Sequence, residues 1–442
     1  MSSNSDLPRG FRGWPALVSA VALEGIAMLI VAAFALEGSL PSYVVFALLI
    51  AFVPYVLALR FAHPHDVSGR VALAATATLG AVLVFAPPVL SDDLYRYLWE
   101  GRVWLLGENP YRLPPDDANL VSLRDALWEP INNKPLASIY PPLLQMLFVL
   151  SAMLGGHVWT IKLLALGGLL VAVAILARVS EQPRLALALG LNPLALSETA
   201  LNGHFDFLVG GTLLFAAWSL GHRAMRSASL ATCAAVGLKV VGLVLIPLFW
   251  RRKRALAVTL GASALLLLPM VLSRTLGDPT SGPGQFAVRW QGNDSIFALV
   301  HWVARQALEP ESAALVARLV VGVALLAVAV RVVLADPPPL EGARVLIWAV
   351  LLLSPQVHPW YLGWLLPLEL ACGGRAAVLW SALVLVAYAP LDHWVTEGVW
   401  QMPLWLHVSE YLLLAVALAL DPRRPRLGAD PKDGYVRINS TS

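Results

Sequence analysis

Apolar runs of membrane-spanning or near-spanning length follow one another along almost the whole chain. They lie near residues 14–36, 41–62, 70–90, 157–178, 184–201, 205–221, 228–250, 255–273, 312–334, 344–371, 376–391 and 403–420, with a shorter one at 140–155. A helix crosses the hydrocarbon core with about 20 apolar residues. Inside a bilayer each backbone polar group must be satisfied by the chain itself, so such a series dictates helices. Composition agrees. Of 442 residues, 58% are hydrophobic and 13% charged, too few charges to cover a water-soluble surface of this size. Mean hydropathy is +0.70. The expectation is an all-α polytopic membrane protein with about 11–14 transmembrane or re-entrant helices over 14–420.

The remaining composition narrows function by exclusion. A net charge of +3 offers no basic face for nucleic acid. Cys233 and Cys372 sit in apolar runs and read as small core residues rather than a disulfide. No cleavable signal peptide is evident, because residues 1–13 are polar and the run after them is long enough to span. There is no Walker motif, no GxGxxG after a strand, no HExxH and no Cys/His metal spacing. A donor substrate must then be presented some other way, and a lipid-linked one suits a chain without a cytosolic domain.

Lys and Arg in short loops set orientation. Arg9 and Arg12 place segment 1–13 in the cytoplasm, and Arg60 with Arg70 flank an inner loop, so 91–139 falls outside as the first large extracytoplasmic loop. Arg223, Arg226, Arg251–Arg254, Arg331 and Arg344 ask to be inside, as does the polar tail 421–442 with Arg423, Arg424 and Arg426, which reads as disordered. Strict alternation cannot satisfy all of them. It works if 140–155 dips in and returns, if 228–250 bends near Lys239, and if 344–371 bends at Gln356–Pro359. Broken helices are tolerated where they line a cavity. With those bends Asn202–Asp206, Trp290–Asp294, Ser354–Tyr361 and Asp392–Glu397 converge on one outward-facing polar cavity.

Six places carry chemistry. Asp92 and Asp93 open a segment that reads as an interfacial amphipathic helix to about Leu106, with Tyr97, Gly101 and Trp104 on one side and Gly107 and Asn109-Pro110 as its stop. Helix capping is the plain alternative for the two acids. Tyr140-Pro141-Pro142 fixes a helix entry. Glu198, Asn202, His204 and Asp206 crowd a membrane boundary, where four polar groups are expensive unless they face a cavity. Lys162 and Lys239 interrupt apolar runs; snorkelling explains the first more easily than the second. Gln356 and His358 stand between Pro355 and Pro359, which break a helix and free its carbonyls.

These segments, in this order, resemble the GT-C superfamily of membrane glycosyltransferases. They are most similar to bacterial polyprenol-phosphate-mannose-dependent mannosyltransferases, to glycosyltransferase family 87 and to the transferase of the first mannose in GPI-anchor synthesis. The resemblance covers roughly 85–370. It rests on the aspartate pair with its Tyr-Arg-Tyr helix, Asn109-Pro110-Tyr111, Tyr140-Pro141-Pro142, Asn192-Pro193-Leu194 with Asn202-Gly203-His204-Phe205-Asp206, Gly237-Leu238-Lys239, and Ser354-Pro355-Gln356 with Trp360-Tyr361. It implies a GT-C-like bundle, a polyprenyl-phosphate sugar donor with mannose as the sugar, a lipid or glycan acceptor, and inversion at an active site on the extracytoplasmic side of the bacterial cytoplasmic membrane. The family's acidic residue maps onto Asp93 with Asp92 beside it. Related enzymes often separate their two acids by one residue; here they are adjacent, and the choice of base stays open.

The expected mechanism follows. Asp93 or Asp92 accepts the acceptor's proton. A cation or hydrogen-bond donor meets the departing phosphate, the candidates being Arg96, Lys162, Lys239, His204 and His358, with Asn202, Asp206 and Gln356 as further binding residues. Should the pair Asp92/Asp93 fail, the acid–base role passes to Glu198 or Asp206. No cofactor is expected, since a lysine or arginine can supply the charge; the aspartate pair leaves a divalent ion as the alternative. A polyprenyl-linked sugar flippase shares the bent helices, and an envelope assembly protein is the other rival.

Overall fold

The computed structural model describes residues 14–62, 67–180, 182–274 and 280–422. The terminal segments, with Arg9, Arg12, Arg423, Arg424 and Arg426, lie outside the described residues. The first half of the chain forms α1 (Trp14–Leu36), α2 (Pro41–Phe61), α3 (Gly69–Val84), α4 (Asp93–Leu105), α5 (Pro142–Met153), α6 (Val158–Val179), α7 (Pro183–Gly190), α8 (Pro193–Leu196), α9 (Asp206–Gly221) and α10 (Met225–Leu238). The second half forms α11 (Lys253–Leu272), α12 (Gly282–Arg289), α13 (Ile296–Ala304), α14 (Pro310–Ala335), α15 (Pro339–Leu353), α16 (Leu362–Ala371), α17 (Ala376–Leu383), α18 (Pro390–Glu397) and α19 (Leu404–Leu420). No strand occurs among the described residues; one isolated bridge joins Gly292 to Gln356.

Among the described residues, six stretches are long and apolar enough to cross a membrane: α1, α2, α6, α11, α14 and Ala376–Glu397. Proline begins several helices at the position where its missing N–H costs nothing, as at Pro41, Pro142, Pro183, Pro310 and Pro339. The chain is an all-α polytopic membrane protein. Many apolar side chains on α1, α2, α11 and α14 remain exposed, as on helices that face lipid.

Three apolar runs are interrupted in ways that matter for the site. Run 70–90 stops being helical at Val84, so an irregular segment of the chain leads into the aspartates. Run 184–201 is not one helix. It breaks at Asn192, whose side chain caps α8 by accepting from Ala195 N, and ends in a π-turn over Ser197–Leu201. Run 228–250 ends its α-helix at Leu238, passes through an extended Lys239 and continues as a 3-10 helix to Phe249. The bend between α15 and α16 falls where the two prolines demand it. There the loop around Gly292 takes up the freed backbone: Gly292 N donates to Pro355 O at 3.1 Å and Val357 N to Gly292 O at 3.0 Å. α5 has 12 residues. At about 1.5 Å per residue it is about 18 Å long, well short of a hydrocarbon core of about 30 Å.

α9 is central, packed between α6, α10 and α16. Gly210 lets its backbone approach the Gly363 carbonyl of α16 so closely that any side chain there would overlap it. Small residues that bring backbones together are a main source of helix association in membranes. The approach sets Asp206, first residue of α9, beside the aromatic residues that open α16.

Candidate active site

α4 is enclosed by protein rather than open along one apolar face. Leu94, Arg96, Tyr97, Leu98, Trp99, Glu100, Gly101 and Val103 are all buried, so the helix is covered on most of its circumference. The face carrying Tyr97, Gly101 and Trp104 meets α5. Tyr97 stacks on Phe148 with ring centroids 4.6 Å apart, Gly101 abuts the Phe148 carbonyl, and Trp104 Nε1 donates to Gln145 Oε1 at 3.0 Å. Beneath this face Glu100 accepts from Arg96, Ser138 and Gln145. Tyr111 hydroxyl donates to Tyr140 O at 2.8 Å, which ties the Asn109-Pro110-Tyr111 turn to the Tyr140-Pro141-Pro142 corner.

The aspartates stand at the start of α4, and neither side chain caps it: Asp92 occupies the cap position without a capping hydrogen bond. Instead one amide joins them. Asn132 Nδ2 donates to Asp92 Oδ1 at 2.6 Å and to Asp93 Oδ1 at 2.8 Å. Surrounding protein pushes the Asp92 carboxyl up to about 6, with the neighbouring charge of Asp93 adding to the rise and Asn132 opposing it. Asp92 still reaches solvent. Asp93 is more enclosed, and its burial likewise raises it above the ordinary carboxylate range against Asn132, Lys239 and Arg96.

A further carboxylate, Asp206, is held by a lysine. Lys239 Nζ donates to Asp206 Oδ1 at 2.6 Å, and Trp364 Nε1 donates to the same oxygen at 2.6 Å. The ammonium lies 5.1 Å from the Tyr361 ring centroid and 5.4 Å from that of Trp364, a cation–π setting. Its side chain keeps 20% of its surface open while Asp206 keeps 2%. Lys239 is within electrostatic range of Asp93, Asp206, His204 and His358. The extended backbone at Lys239 aims the side chain here, which an unbroken helix would not do.

The histidines sandwich a tryptophan. His204 and Trp360 stack at 4.0 Å, and Trp360 and His358 at 4.1 Å, with the planes 15° and 7° apart. His204 is fully buried, with Nδ1 hydrogen-bonded to Tyr97 hydroxyl at 3.2 Å and Nε2 3.7 Å from Glu198 Oε2. His358 is half-buried, and the Gln356 amide meets its ring. The partly open groups are thus Asp92, Asp93, Asn132, Lys239, His358 and Tyr361.

Residues 13–251 match the model of the MptA_B family, described as alpha-(1->6)-mannopyranosyltransferase, N-terminal domain. The match takes in the aspartate pair, Asn132, Asp206 and Lys239, and more than half of the chain. The chain belongs to this mannosyltransferase family. No curated protein and no solved structure matches it.

Within the mannosyltransferase, several residues expected at the donor are engaged elsewhere. Arg96 is buried, and its guanidinium donates to Glu100 Oε1, Asn133 O and Leu136 O, so it clamps the loop that carries Asn132. Lys162 is fully buried and donates to the Ala86 carbonyl, which pins the irregular segment ahead of Asp92. Asn202 anchors the same segment, its Oδ1 accepting from Leu90 N at 3.4 Å while its Nδ2 donates to Glu198 Oε2 at 3.3 Å. These three shape the site rather than face it. Glu198 also accepts from Tyr388 hydroxyl at 2.6 Å and is fully buried. Asp392–Glu397 takes no part: Asp392 accepts from Ser42 N at 2.9 Å at the start of α2. Trp290–Asp294 joins through the backbone pairing of Gly292 with Pro355 and Val357. Sequence reasoning passed over Asn132, Tyr388 and Trp364. Asn132 lies some 40 residues from its partners, in a stretch without periodicity to mark it.

Proposed function

We propose that this mannosyltransferase moves mannose, with inversion, from a polyprenyl-phosphate donor to a lipid or glycan acceptor at the extracytoplasmic face of a bacterial cytoplasmic membrane. The observation that carries the reading is that partly open groups of opposite charge lie within electrostatic range of each other. Asp92 and Asp93 share an amide, and a lysine held by Asp206 lies within electrostatic range of Asp93.

Asp93 takes the proton of the acceptor hydroxyl as that oxygen attacks the anomeric carbon. The bond from that carbon to the phosphate oxygen breaks on the opposite face, and its electron pair leaves with the polyprenyl phosphate. Charge grows on that phosphate, where a preoriented cation lowers the barrier. An ammonium carries three N–H bonds; Asp206 takes one and fixes the direction of the others. Arg96 and Lys162 contribute by holding the loops. If the product is an α-(1→6) mannoside, as the family description has it, inversion requires a β-linked donor.

The test is turnover of radiolabelled polyprenyl-phosphate mannose by purified protein, with the product's anomeric configuration read by NMR. Mannosyl transfer with inversion supports the reading. Movement of intact donor across a vesicle membrane without transfer would overturn it in favour of a flippase.

A further inference from the structure

α10 and α11 both begin at one end of the bundle, and a cleft of about 990 Å³ opens between those ends. That volume is in the range of ligand-sized clefts, about 300–1,000 Å³. Its rim carries Arg223, Arg226, Arg251, Arg252, Lys253 and Arg254, against one carboxylate, Asp336. Arg251 Nε lies 3.5 Å from Asp336 Oδ2, and Lys253 Nζ lies 3.9 Å from the Trp250 ring centroid. Arg226 and Arg254 are exposed on opposite walls. Deeper in, the walls are apolar: Leu230 and Cys233 from α10, Val258 and Ala262 from α11.

The sign of the charge is the telling feature. A helix N-terminus is electropositive, and cations there are unfavourable. α10 has Arg226 in its first turn, and α11 has Lys253 and Arg254. Neither helix has an acid in that turn, and neither has a side-chain cap. Two uncapped N-termini and six cations from two separate turns thus surround one concavity. A loop bias that merely fixes orientation requires neither the convergence nor the placement in first turns. A bound anion resolves both, and the apolar walls, with Leu230 71% and Val258 61% exposed, call for hydrocarbon next to it.

We infer that this cleft binds a phospholipid of net negative headgroup, its phosphate at Arg226, Arg254 and the two helix N-termini and an acyl chain along Leu230 and Val258. Basic pockets between transmembrane helices commonly serve this purpose. The site is separate from the candidate active site. Lys239 follows the far end of α10, which at 14 residues and about 1.5 Å each is about 20 Å away.

The experiment is native mass spectrometry of the full-length protein in detergent with phosphatidylglycerol or phosphatidylcholine of identical chains. The wild type retains the anionic lipid in preference. R226Q/R254Q weakens that retention about 25-fold, each cation near a headgroup contributing about fivefold, whereas R226K/R254K keeps it. L230E, which puts a charge on the apolar wall, loses it as well. Equal retention of both lipids overturns the site, as does an unchanged preference in R226Q/R254Q. Displacement of the lipid by millimolar inorganic phosphate, with L230E behaving as wild type, overturns the lipid in favour of a bare anion.

Discussion

Lys239 and Asp206 meet at 2.6 Å although the helix that delivers the lysine ends one residue before it. The broken helix and the ion pair are one device: the break frees the side chain, and the carboxylate gives the charge a place in a largely apolar surround. Removing one partner of a buried pair costs about 3–5 kcal/mol, while replacing both by neutral groups can be almost without cost. D206N and K239M are therefore each expected to lower thermal stability in detergent. The double variant D206N/K239M recovers most of that stability and remains inactive, because no cation is left for the phosphate. Transfer by the double variant at near wild-type rate removes Lys239 from the mechanism.

Asp93→Asn keeps shape and loses the ability to take a proton. Loss of a general base costs about 100- to 10,000-fold in rate. Helix destabilisation does not explain such a loss, since no carboxylate caps α4 through its side chain. Donor binding in D93N stays within a few-fold, because Lys239 is untouched. Asp92→Asn gives the smaller effect. The reverse order, measured as kcat in a transfer assay with both variants, reassigns the base to Asp92.

The pH profile is set by the same pair. A base must be ionised, so activity is present above its pKa and lost as pH falls through it. Burial and the charge of Asp93 place Asp92 at about 6, against about 3.9 for an ordinary aspartate. Adjacent acids titrate as a unit, burial raises both, and the acid limb of kcat/KM is expected above the ordinary aspartate range. Asn132 donates to both carboxylates and lowers both. Asn132→Ala therefore moves the limb to higher pH, with much of the rate returning in alkaline buffer. A profile that falls in height without moving shows that Asn132 acts through the loop alone.

Orientation has its own check. Asn119 is exposed in the long loop after α4. Asn119→Cys is expected to react with an impermeant maleimide in intact cells. Labelling only after lysis places the loop inside and ends the extracytoplasmic reading.

Much of this bundle is visible in the order of residues alone. The run 14–36 coincides with α1, and 312–334 lies within α14, because apolar length bounded by polar or proline residues is a local property. The breaks at Lys239 and at 354–358 are legible too, since a charge or two prolines in an apolar run demand an explanation. What escapes is pairing across the fold. Arg96 reads as a free cation until the carbonyls of Asn133 and Leu136 are seen around it. Lys162 reads as a phosphate-binding or a snorkelling lysine until Ala86 is found at its tip. The helical reading of 184–201 fails because Asn192 serves as a cap, and its amide is taken by Ser381, 189 residues away.

The stack of His204, Trp360 and His358 has a consequence for modularity. One ring comes from the stretch that matches the family model, and the other two lie beyond its end. Trp364, which shares Asp206 with Lys239, is also beyond it. The matched stretch therefore does not hold the whole of the proposed site. A chimera joined near residue 251 inherits a mismatched second wall unless it also carries 354–364 from the same parent, and specificity in such hybrids should follow that short insert as much as the donor of the larger half.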